Sequence, residues 1–349
     1  GYLRVWCDTP TNTAPGPHTG FALGRNGETL SLFNASTTRV DAVTFGLQLT
    51  DYSVGRTLAG WKLNTPTPGA ANIAAATDPT SNLSINEWLA NAAPGGDDWI
   101  ELYNRSSTAP VALQGIFIGN GSTVHQLSSL SFIAANGFVQ LLATELEGPD
   151  HLDFKLSALG SAIILYDESP IELERVTYGV QAEGVTQGRL PDGTATIATF
   201  TFTPSPGTNN YIINYNGPVL NEIAAGHGSV ELRNPTGTPF DMAGMAIATD
   251  SSEAPVLLSA TVAANGYLVV TLGDLLTDES GTVSLLNANG QVVDSVAYGF
   301  QVPELSIGRN GNDWQLLESV TPDAANAPAA QLGSDASLKI NEWLANPSE

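Results

Sequence analysis

The sequence predicts an all-β protein built of tandem two-sheet sandwiches, and three observations support this. Apolar and polar residues alternate in short segments, for example 99–104, 137–143 and 161–167, which is the period of a half-buried strand. Gly, Pro, Asn or Asp bounds each segment, as expected for turns. No segment shows a sustained helical period with caps, so long helices are not expected. About seven to nine short strands per repeat are typical of a sandwich.

The chain repeats a unit of domain size. An opening motif, Ile-Asn-Glu or Leu-Asn-Glu, begins at Ile85, Leu220 and Ile340. Three further motifs follow in the same order: Ala-Asn-Gly-Phe or its Tyr variant, then Val-Thr-Tyr-Gly and related sequences, then Gly-Arg. A segment that is usually rich in proline closes each copy. Because the openings lie 135 and 120 residues apart, each copy is a domain rather than one turn of a solenoid.

The repeat predicts four parts. Residues 1–75 form the C-terminal part of a sandwich whose first strands are missing, since Gly1 aligns with Gly137. Residues 82–210 form a complete sandwich, and residues 218–328 form a complete but shortened one. Residues 338–349 form the first strand of a further unit. We therefore expect the chain to belong to a longer precursor.

The order of the motifs resembles a known family. Ile-Asn-Glu-Trp-Leu-Ala-Asn at 85–91, Asp-Trp-Ile-Glu-Leu-Tyr-Asn at 98–104, Ala-Asn-Gly at 135–137 and His-Leu-Asp-Phe-Lys at 151–155 are similar to the lamin-tail domain in its bacterial, extracellular form. The resemblance implies immunoglobulin-like sandwiches and a location outside the cell or on its surface. It implies no catalytic activity. A fold alone does not determine function.

Charge and composition exclude several function classes. With 35 acidic and 12 basic residues the net charge is −23, which opposes a nucleic-acid partner held through phosphates. No apolar run reaches the roughly 18 residues of a membrane span. The chain has four histidines and one cysteine, too few for the usual His and Cys metal sites. We expect no enzymatic activity.

Two acidic residues in apolar strands are candidate site residues. Glu101 and Glu231 each precede a Gly-Arg pair, at Arg189 and Arg309, within the same unit. One interpretation makes Glu101 a general base with a shifted pKa. The other is a Glu–Arg ion pair in each unit that ties two strands together, because a buried carboxylate needs a partner. We predict these structural pairs and no catalytic residue.

A second acidic position recurs in the opening motif, at Glu87, Glu222 and Glu342. Two carboxylates at a suitable separation hydrolyse glycosides, but nothing in the sequence brings two of them together. We therefore predict that these residues are structural.

Calcium is the only cofactor for which we find candidate ligands. The oxygen ligands would come from Asp97, Asp98, Asp150 and Asp153. The alternative interpretation is that these aspartates lie in acidic loops solvated by water.

The preferred function is an extracellular or cell-surface fibre or stalk in which sandwiches join head to tail. Two arrangements complete the end units: further repeats of one longer chain, or strand exchange between subunits. The exchanged strand would comprise Ile340, Asn341, Glu342, Trp343 and Leu344. The alternative function is an accessory adhesion or polysaccharide-binding region of a large secreted hydrolase.

Overall fold

A computed structural model describes residues 1–8, 14–93, 95–201, 203–311, 313–334, 337 and 339. It confirms the all-β prediction, because strands and their connections account for nearly all of the described residues. The helices in this part of the chain are three short 3₁₀ turns, Thr80–Asn82, Ala225–His227 and Gly273–Leu275. None of these is long and apolar enough to cross a membrane.

The first region contains a hairpin and a separate three-stranded sheet. Strands β1 and β2 form the hairpin, and the sheet has the order β3-β4-β5. Phe45 and Leu63 pack against Leu130 and Phe132, which belong to the next region of the chain. These contacts bury part of the apolar surface of the first region. The strands are β1 (Glu28–Phe33), β2 (Arg39–Phe45), β3 (Ser53–Thr57), β4 (Gly60–Thr65) and β5 (Ile73–Ala74).

The middle region is a two-sheet sandwich. A six-stranded sheet has the order β13-β12-β7-β6-β16-β17, a four-stranded sheet has the order β10-β9-β14-β15, and β11 pairs with β8. Ile85 and Leu102 of the first sheet pack in one core with Ile163 and Leu165 of the second. The strands are β6 (Leu83–Leu89), β7 (Trp99–Asn104), β8 (Val111–Ala112), β9 (Phe117–Gly119), β10 (Val124–Gln126), β11 (Phe132–Ile133), β12 (Phe138–Ala143), β13 (His151–Leu152), β14 (Ser161–Tyr166), β15 (Glu172–Tyr178), β16 (Thr186–Arg189) and β17 (Ile197–Phe200).

The last region repeats the larger sheet of the middle one. Its order is β24-β19-β18-β27-β28, which matches β12-β7-β6-β16-β17 strand for strand. Two smaller groups of strands are also paired. β20 pairs with β23, and β21 pairs with both β22 and β25. The strands are β18 (Val219–Ala224), β19 (Ser229–Arg233), β20 (Phe240–Asp241), β21 (Ala246–Thr249), β22 (Val256–Leu257), β23 (Thr261–Val262), β24 (Tyr267–Thr271), β25 (Gly281–Leu286), β26 (Val292–Tyr298), β27 (Ser306–Asn310) and β28 (Asp313–Leu317).

The chain divides into two compact units. One comprises Gly1–Tyr215 with Val292–Ala297, and the other comprises Asn216–Gln291 with Tyr298–Glu349. The first unit therefore holds both the first region and the middle sandwich. The repeat predicts four parts, and this division into two units does not resolve them. Their boundaries therefore stay predictions.

A β-bulge interrupts the opening strand of both copies. The pairing of β6 with β7 shifts between Ile85 and Glu87, and the pairing of β18 with β19 shifts between Leu220 and Glu222. A bulge reorients neighbouring side chains. As a result the Asn and Glu of each opening motif are both buried, although simple alternation would place one of them outside.

Candidate functional site

Buried polar side chains form a network across the larger sheet of the middle sandwich. Its members come from β6, β7, β15, β16 and the segment that closes the repeat. They surround the bulge of the opening motif, which brings two consecutive polar residues inward. We call this set the buried polar network; it comprises Asn86, Glu87, Glu101, Glu174, Thr186, Arg189, Ser205 and Asn210.

Glu87 is fully buried. Both oxygens of its carboxylate accept hydrogen bonds from donors of the same chain. Thr186 Oγ1 donates to Oε1 at 2.5 Å, and Ser205 Oγ donates to Oε2 at 3.0 Å. The backbone N–H of Ser205 also donates to Oε2, at 3.2 Å. Burial raises the pKa of Glu87 to about 7, because it disfavours the charged form more than these hydrogen bonds favour it.

Glu101 lies beside Glu87 on the neighbouring strand and is also fully buried. Asn86 Nδ2 donates to its Oε1 at 2.9 Å, and the backbone N–H of Gly207 donates to its Oε2 at 2.6 Å. Burial is the main cause that raises the pKa of Glu101 to about 8, and the negative charges of Glu87 and Asp192 add to it.

Arg189 does not pair with Glu101, in contrast to the sequence-based prediction. Its Nη2 lies 2.6 Å from Oε1 of Glu174, and its Nε donates to the carbonyl of Ile85 at 2.8 Å. The acid was misidentified because Glu174 lies on β15 of the opposite sheet, two residues before a repeated motif rather than within it. Glu101 instead takes amide donors, as described above.

Asn210 joins the closing segment to two strands. Its Nδ2 donates to the carbonyl oxygens of Asn86, at 3.3 Å, and Arg189, at 3.0 Å. Its Oδ1 lies 2.8 Å from Ser205 Oγ. The carbonyls of Asn86 and Arg189 belong to β6 and β16, so this one amide connects the closing segment to two neighbouring strands of the larger sheet.

Replacing Asn210 by alanine is therefore expected to lower the free energy of unfolding by about 1–3 kcal/mol, because buried carbonyls lose their donor. The adjacent Asn209 is exposed and makes one hydrogen bond, to Asp192 at 2.7 Å. Asn209→Ala is the matched control and should change stability by less than about 0.5 kcal/mol. Denaturant titration measures both, and equal losses would contradict a specific role for Asn210.

The last region contains a second copy of the network. Glu222 accepts from Ser306 Oγ at 2.5 Å and from Thr321 Oγ1 at 2.8 Å. Asn326 Nδ2 donates to the carbonyls of Asn221, at 3.1 Å, and Arg309, at 2.8 Å. These are the roles of Glu87, Thr186, Ser205 and Asn210, with a conservative change at two of the four positions.

Glu231 repeats the environment of Glu101. Asn221 Nδ2 donates to its Oε1 at 2.8 Å, and the N–H of Asp323 donates to its Oε2 at 2.6 Å. Burial raises the pKa of Glu231 as well. The predicted pairing of Glu231 with Arg309 is thus corrected in the same way, since amide donors hold this carboxylate. Arg309 Nε donates to the carbonyl of Leu220 at 2.9 Å.

Part of a third copy is present in the first region. Arg56 Nη2 lies 3.2 Å from Oδ1 of Asp41, and Asn72 Nδ2 donates to the carbonyl of Arg56 at 2.9 Å. The Arg56 guanidinium lies over the ring of Trp61 at 4.8 Å, as that of Arg309 lies over Trp314 at 5.0 Å. These residues correspond to the arginine, the acid and the closing asparagine of the complete networks.

The aspartates proposed to bind calcium are not assembled into one site. Asp98 Oδ1 accepts from the N–H of Ala92 at 3.0 Å, and Asp153 Oδ1 lies 3.2 Å from His125. Asp150 Oδ2 accepts from Asn26 at 3.4 Å. Within the described ranges, no three His, Cys, Asp or Glu side chains are grouped as metal ligands. The predicted exchange strand, residues 340–344, lies outside the described residues.

The sequence-based prediction found the repeated glutamates and arginines but missed their partners. The asparagines of the network repeat with the motifs, at Asn86 and Asn221 and again at Asn210 and Asn326. Their recurrence was a usable signal. Glu174 also had a signal, because Asp41 and Asp294 hold the same position two residues before the Val-Thr-Tyr-Gly motif and its variants.

Comparison with known proteins gives little further information. No protein-family model matches the chain, and no curated protein matches it. Among solved structures, an inhibited exo-β-D-glucosaminidase CsxA is 15% identical with a TM-score of 0.18, over 62% of this chain and 26% of that one. The Amycolatopsis orientalis exo-chitosanase CsxA, in complex with PNP-β-D-glucosamine, is 16% identical with a TM-score of 0.17, over 58% of this chain and 25% of that one. The chain thus spans about a quarter of these enzymes, and similarity at this level supports no functional conclusion.

Proposed function

We propose that the protein is a non-catalytic structural protein, an extracellular or cell-surface fibre or stalk of β-sandwich repeats joined head to tail. The observation that carries the proposal is the repetition of the buried polar network. Its donors and acceptors satisfy one another inside the sheet, and the carboxylates of Glu87 and Glu101 are closed off from solvent. Groups enclosed in this way tie strands together.

The distribution of exposed apolar side chains favours self-association. Of the 23 large apolar residues that are exposed in the described part of the chain, 11 lie within residues 1–75. Where exposed apolar side chains form a contiguous patch, they typically mark an interaction site, and the first region is the part of the chain richest in them. A contact between two different surfaces of identical subunits does not close on itself in general and yields a filament.

Electron microscopy of the purified chain, combined with mass photometry, tests this proposal. We expect linear oligomers that lengthen with concentration. Leu32→Lys places a charge on the exposed apolar surface of the first region and should leave monomers, whereas Leu159→Lys, at an exposed position of the middle sandwich, should still assemble. Monomers of the unmodified chain at every concentration would refute the proposal.

An accessory adhesion or polysaccharide-binding role is the second candidate, and one groove favours it. Trp61, Lys62 and Gln114 line an open groove of about 400 Å³. An aromatic face with polar neighbours can stack on a sugar ring and bind its hydroxyls. Co-sedimentation of monomers with insoluble polysaccharide, abolished by Trp61→Ala, would favour this role over the fibre.

A further inference from the structure

Strand β3 is an edge strand, unlike its counterparts. It pairs with β4 on one side within its three-stranded sheet. The corresponding strands β16 and β27 are paired on both sides, with β17 or β28 on one and with the opening strand β6 or β18 on the other. In the described part of the chain, β3 therefore offers a row of backbone groups to a further strand.

The first region matches the middle sandwich in register, so positions can be equated. Hairpin β1–β2 has the pairing pattern of hairpin β14–β15, including a shift after Leu32 in one and after Leu165 in the other. Leu32 lies opposite Asp41, as Leu165 lies opposite Glu174. Asp41 is therefore the counterpart of Glu174.

Matched positions differ sharply in exposure. Leu165 is fully buried, whereas Leu32 is 62% exposed. The side chains of Arg189 and Glu174 are 9% and 18% exposed, and those of Arg56 and Asp41 are 56% and 51% exposed. In the middle sandwich the opening strand helps to enclose this pair, since Glu174 Oε2 accepts from the N–H of Ile85 at 2.5 Å.

A buried atom without a partner lies beside β3. Asn64 is opposite Ser53, at the register position that Leu317 occupies opposite Ser306. Asn64 Oδ1 is one of three buried side-chain atoms in the described residues that lack a hydrogen-bond partner. Buried acceptors are usually satisfied in folded proteins, so Asn64 Oδ1 is available to a donor beside β3.

The end of the chain repeats the sequence of β6, the strand that pairs with β16 in the middle sandwich. Residues 338–346 match residues 83–91 at eight of nine positions. The single difference replaces Ser84 by Lys339. Ser84 Oγ donates to Glu174 at 3.2 Å, and the counterpart Asp41 is one methylene shorter. Lys339, the longer donor, thus corresponds to Asp41, the shorter acid, and the charges of the two side chains are complementary.

We propose that residues 338–346 of a second copy of this chain add to the free edge of β3. This inference rests on the proposed head-to-tail assembly and specifies its contact. The registers of β16 and β27 place Glu342 opposite Gly55 and Trp343 opposite Val54. Arg56 Nε donates to the carbonyl of Ile340, as Arg189 and Arg309 donate to the carbonyls at the matching positions. The remaining donors are Ser53, Thr67 and Gly69, the counterparts of Thr186, Ser205 and Gly207.

Fluorescence anisotropy with a labelled peptide of residues 338–349 tests the contact on the full-length chain. We expect saturable binding that Arg56→Ala weakens at least about tenfold, because a charge-assisted hydrogen bond is lost. Arg39→Ala, an exposed arginine on β2, is the matched control and should bind normally. Asp41→Lys should weaken binding, and a peptide with Lys339→Glu should restore it. Thermal unfolding verifies that each variant is folded.

Mass photometry of the same samples separates this inference from the proposed function. Excess unlabelled peptide should shorten the oligomers, because it occupies β3. Oligomers without saturable peptide binding, or with equal effects of Arg56→Ala and Arg39→Ala, would refute the strand contact and leave the fibre proposal standing. Peptide binding to chains that stay monomeric would support the contact and contradict the fibre.

Discussion

Replacing Arg189 by alanine is expected to lower the free energy of unfolding by about 3–5 kcal/mol, because the substitution leaves a nearly buried carboxylate without its countercharge. Glu174 would lose the guanidinium at 2.6 Å, and the carbonyl of Ile85 would lose its donor at 2.8 Å. Both partners lie on strands that the arginine side chain connects, so the two sheets of the sandwich would be affected together. Denaturant titration followed by circular dichroism measures the loss.

Arg175 provides a matched control on the same strand as Glu174. It pairs with Glu172 at the same distance of 2.6 Å, but these side chains are 44% and 40% exposed. Water screens such a pair, so Arg175→Ala should have little effect on stability. A loss for Arg175→Ala as large as that for Arg189→Ala would show that charge, rather than burial, determines the effect.

The stability of the middle sandwich is expected to fall as the pH rises from 5 to 9. Burial raises the pKa of Glu87 to about 7 and that of Glu101 to about 8, whereas both are near 4.3 in an unfolded chain. Between these values the folded protein binds more protons than the unfolded one. The stabilisation is complete below the unfolded pKa and is lost as the pH passes through about 7 and about 8. Since one pKa unit is equivalent to about 1.36 kcal/mol, the change should reach several kcal/mol.

Glu87→Gln tests the assignment of this pH dependence. Its amide keeps the size of the carboxyl, its oxygen can accept from Thr186, and its NH₂ can donate to Ser205 Oγ. In a plot of melting temperature against pH, the curve of the variant should be flatter than that of the unmodified protein. The variant should also be the more stable of the two at pH 9. An identical slope in both proteins would exclude Glu87 as its source.

The prediction of strands succeeded where the signal is local. β7 and β14 are six-residue runs of mostly apolar side chains, and such a run bounded by turn residues is enough to indicate a buried strand. Strands of two residues, such as β8 and β13, are too short to show a period. The described residues of the middle sandwich consequently form twelve strands rather than seven to nine, because pairing with a neighbour defines the additional ones.

Sequence analysis selected residue types for the site but not their partners. Glu101 and Arg189 recur with their motifs, and this recurrence is the basis for predicting a structural role in a repeated framework. Their partners did not follow, because Asn86 and Asn210 are separated by 124 positions and Glu174 lies in the opposite sheet. The bulge at Asn86 also breaks the alternation that sequence analysis assumes.

The sequence by itself determined the fold class, the repeat and its motifs, because strand period, turn residues and self-similarity are encoded along the chain. Only the tertiary structure decided which donor each buried carboxylate receives. That choice depends on which strands become neighbours and on the bulge that turns Asn86 and Glu87 inward together. A buried charge takes whatever donors the folded sheet brings within hydrogen-bond distance, and these lie far away along the chain.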